Sequence, residues 1–96
     1  MQAQQQAEEI KKRLDNIEVS GQAEAGKIKV TATGNKKIKT ISIDPDLLKT
    51  AEGEELEELL VTALNRALEA AENTSQSEMQ AAAQNMLGGL GNLFGS

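Results

Sequence analysis

The chain has no cysteine, histidine, tryptophan or tyrosine, and Phe94 is its only aromatic residue. Without cysteine there are no disulfide staples and no thiolate chemistry. Without histidine there is no imidazole acid–base work, and the two absences together remove the usual zinc ligands. Hydrolases built on a Cys–His or Ser–His pair are excluded with them. The shortage of aromatics also argues against single strands and RNA as ligands, because base stacking contributes about 1–3 kcal/mol per base in such complexes. No apolar run approaches the roughly 18 residues of a membrane span. The opening MQAQQQAEEIKKR lacks the apolar centre of a signal peptide. The expectation is a cytoplasmic protein without cofactor, metal, membrane contact, small-molecule substrate or catalysis.

What is present is Leu, Ile, Val and Ala, within 96 residues. A chain of this size buries only about 60% of its extended surface, so a lone core is thin, and association of subunits is a common remedy. The formal net charge is -5, but it is unevenly distributed. Residues 1–50 hold nine of the ten cations against seven acids; residues 51–96 hold Arg66 against eight acids. Five lysines and no acid fall in AGKIKVTATGNKKIKTISI, residues 25–43. A locally positive face is compatible with a negative total, because charges more than about 8–10 Å apart are largely screened at physiological salt.

Hydrophobic periodicity divides the chain. Ala3, Ala7, Ile10, Leu14 and Ile17 step by four and three, the seam of a helix over 3–17. From Ile17 to Ala25 small or apolar residues alternate with polar ones, which predicts a strand weakened by Gly21. KIKVTAT and KKIKTISI alternate in the same way and predict a hairpin. Gly34 and Asn35 suit a two-residue type II′ loop, which sets Val30 opposite Lys39 and Ile28 opposite Ile41. A loop longer by two shifts these pairs and keeps each side chain on its face. In either register Ile28, Val30, Ile41 and Ile43 share one face and Lys27, Lys29 and Lys36 the other. Lys37 and Lys39 then point nominally inward near the turn, beyond the core, and snorkel out.

In IDPDLL, Asp44 is placed to cap a helical turn with Pro45 at its first position, returning Leu47 and Leu48 to the sheet. Leu56, Leu59, Leu60, Ala63, Leu64, Ala67, Leu68 and Ala71 form a broad apolar stripe on a second helix, whose first turns carry Glu54, Glu55, Glu57 and Glu58. Ser75, Met79, Ala82 and Met86 prolong the stripe, although Asn73–Ser77 is a poor helix former and a break there is compatible with the sequence. Gly88 and Gly89 are expected to end the helix. The expected fold is α+β in the order α-β-β-β-α, a three-stranded antiparallel meander between two helices and dimeric. Residues 1–87 form a single domain and residues 88–96 a flexible Gly-rich tail with Leu90, Leu93 and Phe94 as adhesive points.

IEVSGQAEAGKIKVTATGNKKIKTISIDPDLL, followed by LEELLVTALNRALEAAE with Asn65 and Ala67, resembles the YbaB/EbfC family of small bacterial nucleoid-associated proteins. The resemblance spans the order of elements over most of the chain, from a Gln/Glu-rich first helix to a Gly/Leu/Phe tail. It implies a homodimer whose helices project like tweezers, binding to duplex DNA, a place in the nucleoid and no catalysis. The first helix here is short for the family.

The lysine-rich hairpin is the chemically unusual feature. Edge lysines also keep sheets from aggregating, but a solubilising surface usually mixes signs and this one does not. The candidate DNA contacts are Lys11, Lys12, Arg13, Lys27, Lys29, Lys36, Lys37 and Lys39. Phosphate contacts carry no sequence information, and with Arg13 and Arg66 as the only arginines, bidentate reading of guanine is scarce. Low sequence specificity and steep salt dependence follow, with the acidic second helix facing away from DNA. A different reading makes the last helix and tail a protein-docking module and the lysines solubilising only. The glutamates of the second helix read as a solvated face, Asp44 and Asp46 as capping residues, and GNKK as a turn, since no Gly-Lys-Ser/Thr run opens a helix.

Overall fold

The computed structural model describes the backbone of residues 2–95 and the side chains of residues 7–85. Its elements are α1 (Gln2–Asp15), β1 (Glu18–Ala23), β2 (Ile28–Thr33), β3 (Ile38–Ile43), a short α2 (Pro45–Thr50) and α3 (Gly53–Gly95). The strands form one antiparallel sheet in the order β1-β2-β3, so the expected α+β meander is the fold of the chain.

The β2–β3 register is Ile28↔Ile43 and Val30↔Ile41, the longer-loop alternative. It arises in two steps. The loop is three residues, Gly34, Asn35 and Lys36, closed by Lys36 N–H donating to Thr33 O at 3.0 Å and Thr33 N–H to Lys37 O at 2.8 Å. Lys36 has φ 67, the left-handed residue that ends such a loop. A bulge then follows, because Thr31 pairs with Thr40 while Ala32 pairs with Ile38, leaving Lys39 as the extra residue. The bulge returns Ile38 to the apolar face and turns Lys39 to the polar one, where it meets Glu18 of β1. Lys39 is therefore not an inward residue beyond the core. Lys36 also departs from expectation. It reaches Glu72 on α3 and does not share the outer face with Lys29.

The apolar face of β1 and β2 is covered by α3 through a row of small residues, Ala63, Ala67 and Ala71, all fully buried. Gly21 on β1 makes this possible. A Cβ there would lie 2.3 Å from both Ala63 O and Ala67 N. The core is completed by Ala23, Ile28, Val30, Ala32 and Leu47, with Leu56, Leu59, Leu60 and Leu64 packed at its margin and only partly buried. Leu47 folds back as expected, whereas Leu48 stays 52% exposed. Asp44 occupies the N-cap position of α2 without a side-chain cap hydrogen bond.

β3 is left open. Ile41 lies opposite fully buried Val30, yet is 48% exposed, and Ile38 is 39% exposed. The outline is 65 × 22 × 16 Å with a radius of gyration of 18.6 Å, against about 12–13 Å for a compact chain of this length. The long axis is α3 itself, whose 43 residues rise about 65 Å at 1.5 Å each. It passes Asn73–Ser77 without a break, and Ser75 there and Met79 just beyond line a groove with Ala7, Ile10 and Leu14 of the α1 seam. It also continues through Gly88 and Gly89, where a stop was expected. Interior glycine costs about 1 kcal/mol relative to alanine and does not forbid a helix. The side chains of Leu90, Leu93 and Phe94 lie outside the described residues.

Candidate nucleic-acid interface

The C-terminal turn of α1 carries Lys11, Lys12 and Arg13, and its last carbonyls need donors from outside the helix. Lys12 O, Arg13 O and Leu14 O each find one, and Lys11 O accepts from outside the helix as well. Asn35 Nδ2 donates to Lys11 O at 2.9 Å, and Asn16 Nδ2 donates to Lys12 O at 3.1 Å. Asn16 N–H donates to Arg13 O at 3.1 Å, and Leu14 O accepts from Gly34 N–H at 2.9 Å and Ile17 N–H at 3.2 Å. Two of these donors, Gly34 and Asn35, belong to the β2–β3 loop. Asn35 Nδ2 also donates to Asp15 Oδ1 at 2.5 Å. The hairpin tip thus caps α1 and fixes Lys36 and Lys37 beside its basic turn.

The direction of α3 follows from its contacts. Ala63 and Ala67 pass Gly21, Glu72 meets Lys36, and Glu78 lies 3.6 Å from Arg13. Its N-terminal glutamates therefore lie toward the β1–β2 turn and the Lys27 end of the sheet, and its middle toward the hairpin tip. The eight candidate cations fall into two groups. Lys11, Lys12, Arg13, Lys36 and Lys37 surround the junction of α1 with the hairpin tip. Lys29 and Lys39 lie on the outer sheet face with Ser20, Thr31, Thr40 and Ser42, where the Thr31 and Thr40 hydroxyls bond to each other, and Lys27 is in the far turn. β2 separates the two ends by about 17 Å at some 3.3 Å per residue.

Three of the cations are paired, Arg13 with Glu78, Lys36 with Glu72 and Lys39 with Glu18. The acidic helix accordingly does not face wholly away from the basic surface. Lys11, Lys12, Lys27, Lys29 and Lys37 have no ion-pair partner among the described residues. All three pairs reach the surface, with Lys36 and Glu72 at 50% and 43% exposed and Glu78 the most covered at 28%. Exposed pairs contribute little and are readily exchanged for another anion. The Lys36 backbone is informative here. A left-handed conformation costs an L-residue about 1–2 kcal/mol that glycine avoids, so this position carries a lysine side chain at a cost to the fold.

The hydrogen bond and charge of Lys36 hold the Glu72 carboxyl below its ordinary value of 4.5, and Lys39 does the same for Glu18. The folded state favours both carboxylates ionised, so this stabilisation is fully present above about pH 4.5 and is lost as pH falls through the folded values. Thermal unfolding followed from pH 7 to pH 3 is expected to show a small loss of stability in that acid range. Glu18→Gln with Glu72→Gln should remove this loss, and an unchanged acid slope would contradict the two pairs.

Lys11 and Arg13 were visible in the sequence as charges. The roles of Asn35, Glu72 and Glu78 were not, because Asn35 reads as a turn residue and its partners are 20 and 24 positions away. Among the described residues, no helix is long and apolar enough to cross a membrane.

The model of the YbaB/EbfC DNA-binding family matches residues 1–86. A nucleoid-associated protein of Flavobacterium johnsoniae is 40% identical over 96 residues, covering 97% of this chain and 89% of that one. One from Rhodopseudomonas palustris is 42% identical over 90 residues, covering 94% and 81%. Among solved structures, an uncharacterized protein from Helicobacter pylori superposes with a TM-score of 0.66 at 19% identity, over 88% of this chain and 93% of that one, and so shares the fold. By its matched length and by these relatives, the chain belongs to the YbaB/EbfC DNA-binding family.

Proposed function

We propose that the protein is a nucleoid-associated protein that binds duplex DNA as a homodimer, through phosphate contacts and with little sequence preference. The observation that carries this reading is the local excess of exposed lysines on a chain of net charge -5, of which Lys11, Lys12 and Lys37 come together at one end without carboxylate partners among the described residues. Lysine is a point charge and meets a phosphate without reading a base. The pairing of subunits is supported by the uncovered apolar face of β3 and by the half-buried leucines of α3.

Binding to random-sequence duplex, measured by fluorescence anisotropy over a salt series, should give log affinity falling linearly with log salt, by about 0.9 per phosphate neutralised. Unlabelled shuffled duplexes should compete equally well. No binding at low salt, or an affinity indifferent to salt, would exclude this mode.

A further inference from the structure

The two groups of cations are not equivalent, and the geometry points to the junction of α1 with the hairpin tip as the phosphate-binding surface, with Asn35 as its positioning residue. This rests on the DNA-binding reading above and assigns the contact to one end of the molecule. Lys11, Lys12 and Arg13 belong to a helix and Lys36 and Lys37 to a hairpin loop, and a flexible connection between them would scatter their charges. Asn35 prevents that. Its side-chain amide donates to the α1 backbone at Lys11 O and to Asp15 Oδ1, while the neighbouring Gly34 amide donates to Leu14 O. The two distant backbone segments that carry these five cations are thereby held side by side, so binding does not have to bring them together.

The acids within reach are Asp15, Glu72 and Glu78, with Glu8 and Glu9 one turn back on α1 beside Lys12 and Arg13. Asp15 is engaged by Asn35, and Glu78 and Glu72 pair with Arg13 and Lys36 at the surface. An arriving phosphate competes with Glu72 and Glu78 for the same ammonium and guanidinium groups. Lys27 lies at the opposite end, toward which Glu54, Glu55, Glu57 and Glu58 run, and Lys29 shares its face with the Lys39–Glu18 pair. A polyanion is repelled at the first place and gains little at the second.

The test compares two sets of substitutions in the full chain, on random duplex in salt steps. Gln at Lys11, Lys12, Arg13, Lys36 and Lys37 should flatten the salt slope strongly. Each lost contact removes about eightfold in affinity between 1 M and 0.1 M salt. Gln at Lys27, Lys29 and Lys39 should change the slope little. Asn35→Ala should weaken binding although it alters no charge. Glu72→Gln with Glu78→Gln should strengthen it beyond what the net-charge change gives when the same two-unit change is made by Glu54→Gln with Glu55→Gln. Lys36→Gly relieves the left-handed backbone, so it should raise thermal stability while lowering affinity, a combination that a purely structural role does not produce. If the Lys27, Lys29 and Lys39 set carries the loss, or Asn35→Ala binds like the parent, the assignment to this surface is wrong while DNA binding stands. If the parent itself binds no duplex, the underlying reading fails first.

Discussion

Gly21→Ala is expected to lower the melting temperature by more than the same substitution at Gly34 or Gly53. The new Cβ would meet the backbone of α3 at Ala63 O and Ala67 N, both at 2.3 Å, with Arg66 C at 2.8 Å. Side chains can rotate away from an intruder, but a helix backbone and a strand backbone must move apart as units. Overpacking a core typically costs 1–3 kcal/mol, and an obstruction made of backbone on both sides belongs at or above the top of that range. A small domain holds only about 5–15 kcal/mol in all, and 1 kcal/mol shifts its melting temperature by roughly 4–8 °C. A fall of about 12 °C or more is therefore expected, measured by circular dichroism. Parting α3 from β1 would also loosen Arg66, whose Nη1 donates to Gln22 O at 2.7 Å. Gly53→Ala is the control, since nothing lies within 4 Å of a Cβ there and its stability should hold. A Gly21→Ala protein melting within a few degrees of the parent would mean that α3 does not cross β1 this closely.

Gly21 shows why part of this molecule was legible in its sequence and part was not. As a residue it reads only as a weak point in a strand. That it faces alanines 63 and 67, more than forty positions on, depends on the packing of α3. The same division runs through the interface. Alternation located β2 and β3 and assigned Ile28, Val30, Ile41 and Ile43 to one face, because period two is a local property. The bulge at Lys39 and the three-residue loop together shift the pairing by two, and no local signal separates that from a longer loop. The α3 stripe was visible, but the sequence gives no reason for the alanines to be buried and the leucines left at the margin. That ordering comes from the close approach at Gly21. Charge was legible as a count, while the partners of Arg13, Lys36 and Lys39 come from elements that the fold alone brings together.

Electrostatics and packing meet in the same region. α3 carries the largest acidic surplus in the chain, yet its Glu72 and Glu78 reach the basic turn of α1 and the hairpin tip. A protein with net charge -5 gains from this in the absence of DNA, because the pairs reduce repulsion among five neighbouring cations. On the proposed reading, a phosphate replaces these carboxylates at little cost, because surface pairs contribute little.

Ile41→Lys is the second substitution with a large expected effect, and it acts on association. Ile41 faces the same side as Val30, its fully buried neighbour in the sheet, but α3 stops short of β3 and leaves it 48% exposed. Ile38 and Leu48 are also exposed, at 39% and 52%. In a single subunit a lysine at 41 extends into water, and the fold loses little. In a pair of subunits joined over this face it would bury an unpartnered ammonium, which costs about 3–5 kcal/mol, a loss of at least a hundredfold in dimer affinity. Sedimentation equilibrium should show the parent at twice the 10.2 kDa of one chain and the variant at that mass. DNA binding supplies an independent measure. A monomer brings half the cations, so the slope of log affinity against log salt should fall to about half. Thr40→Lys, on the opposite face of the same strand, should leave the mass unchanged and keep or steepen that slope. A parent that sediments at 10.2 kDa, or an Ile41→Lys variant that stays paired, would place the subunit contact elsewhere and remove the open face of β3 from the argument.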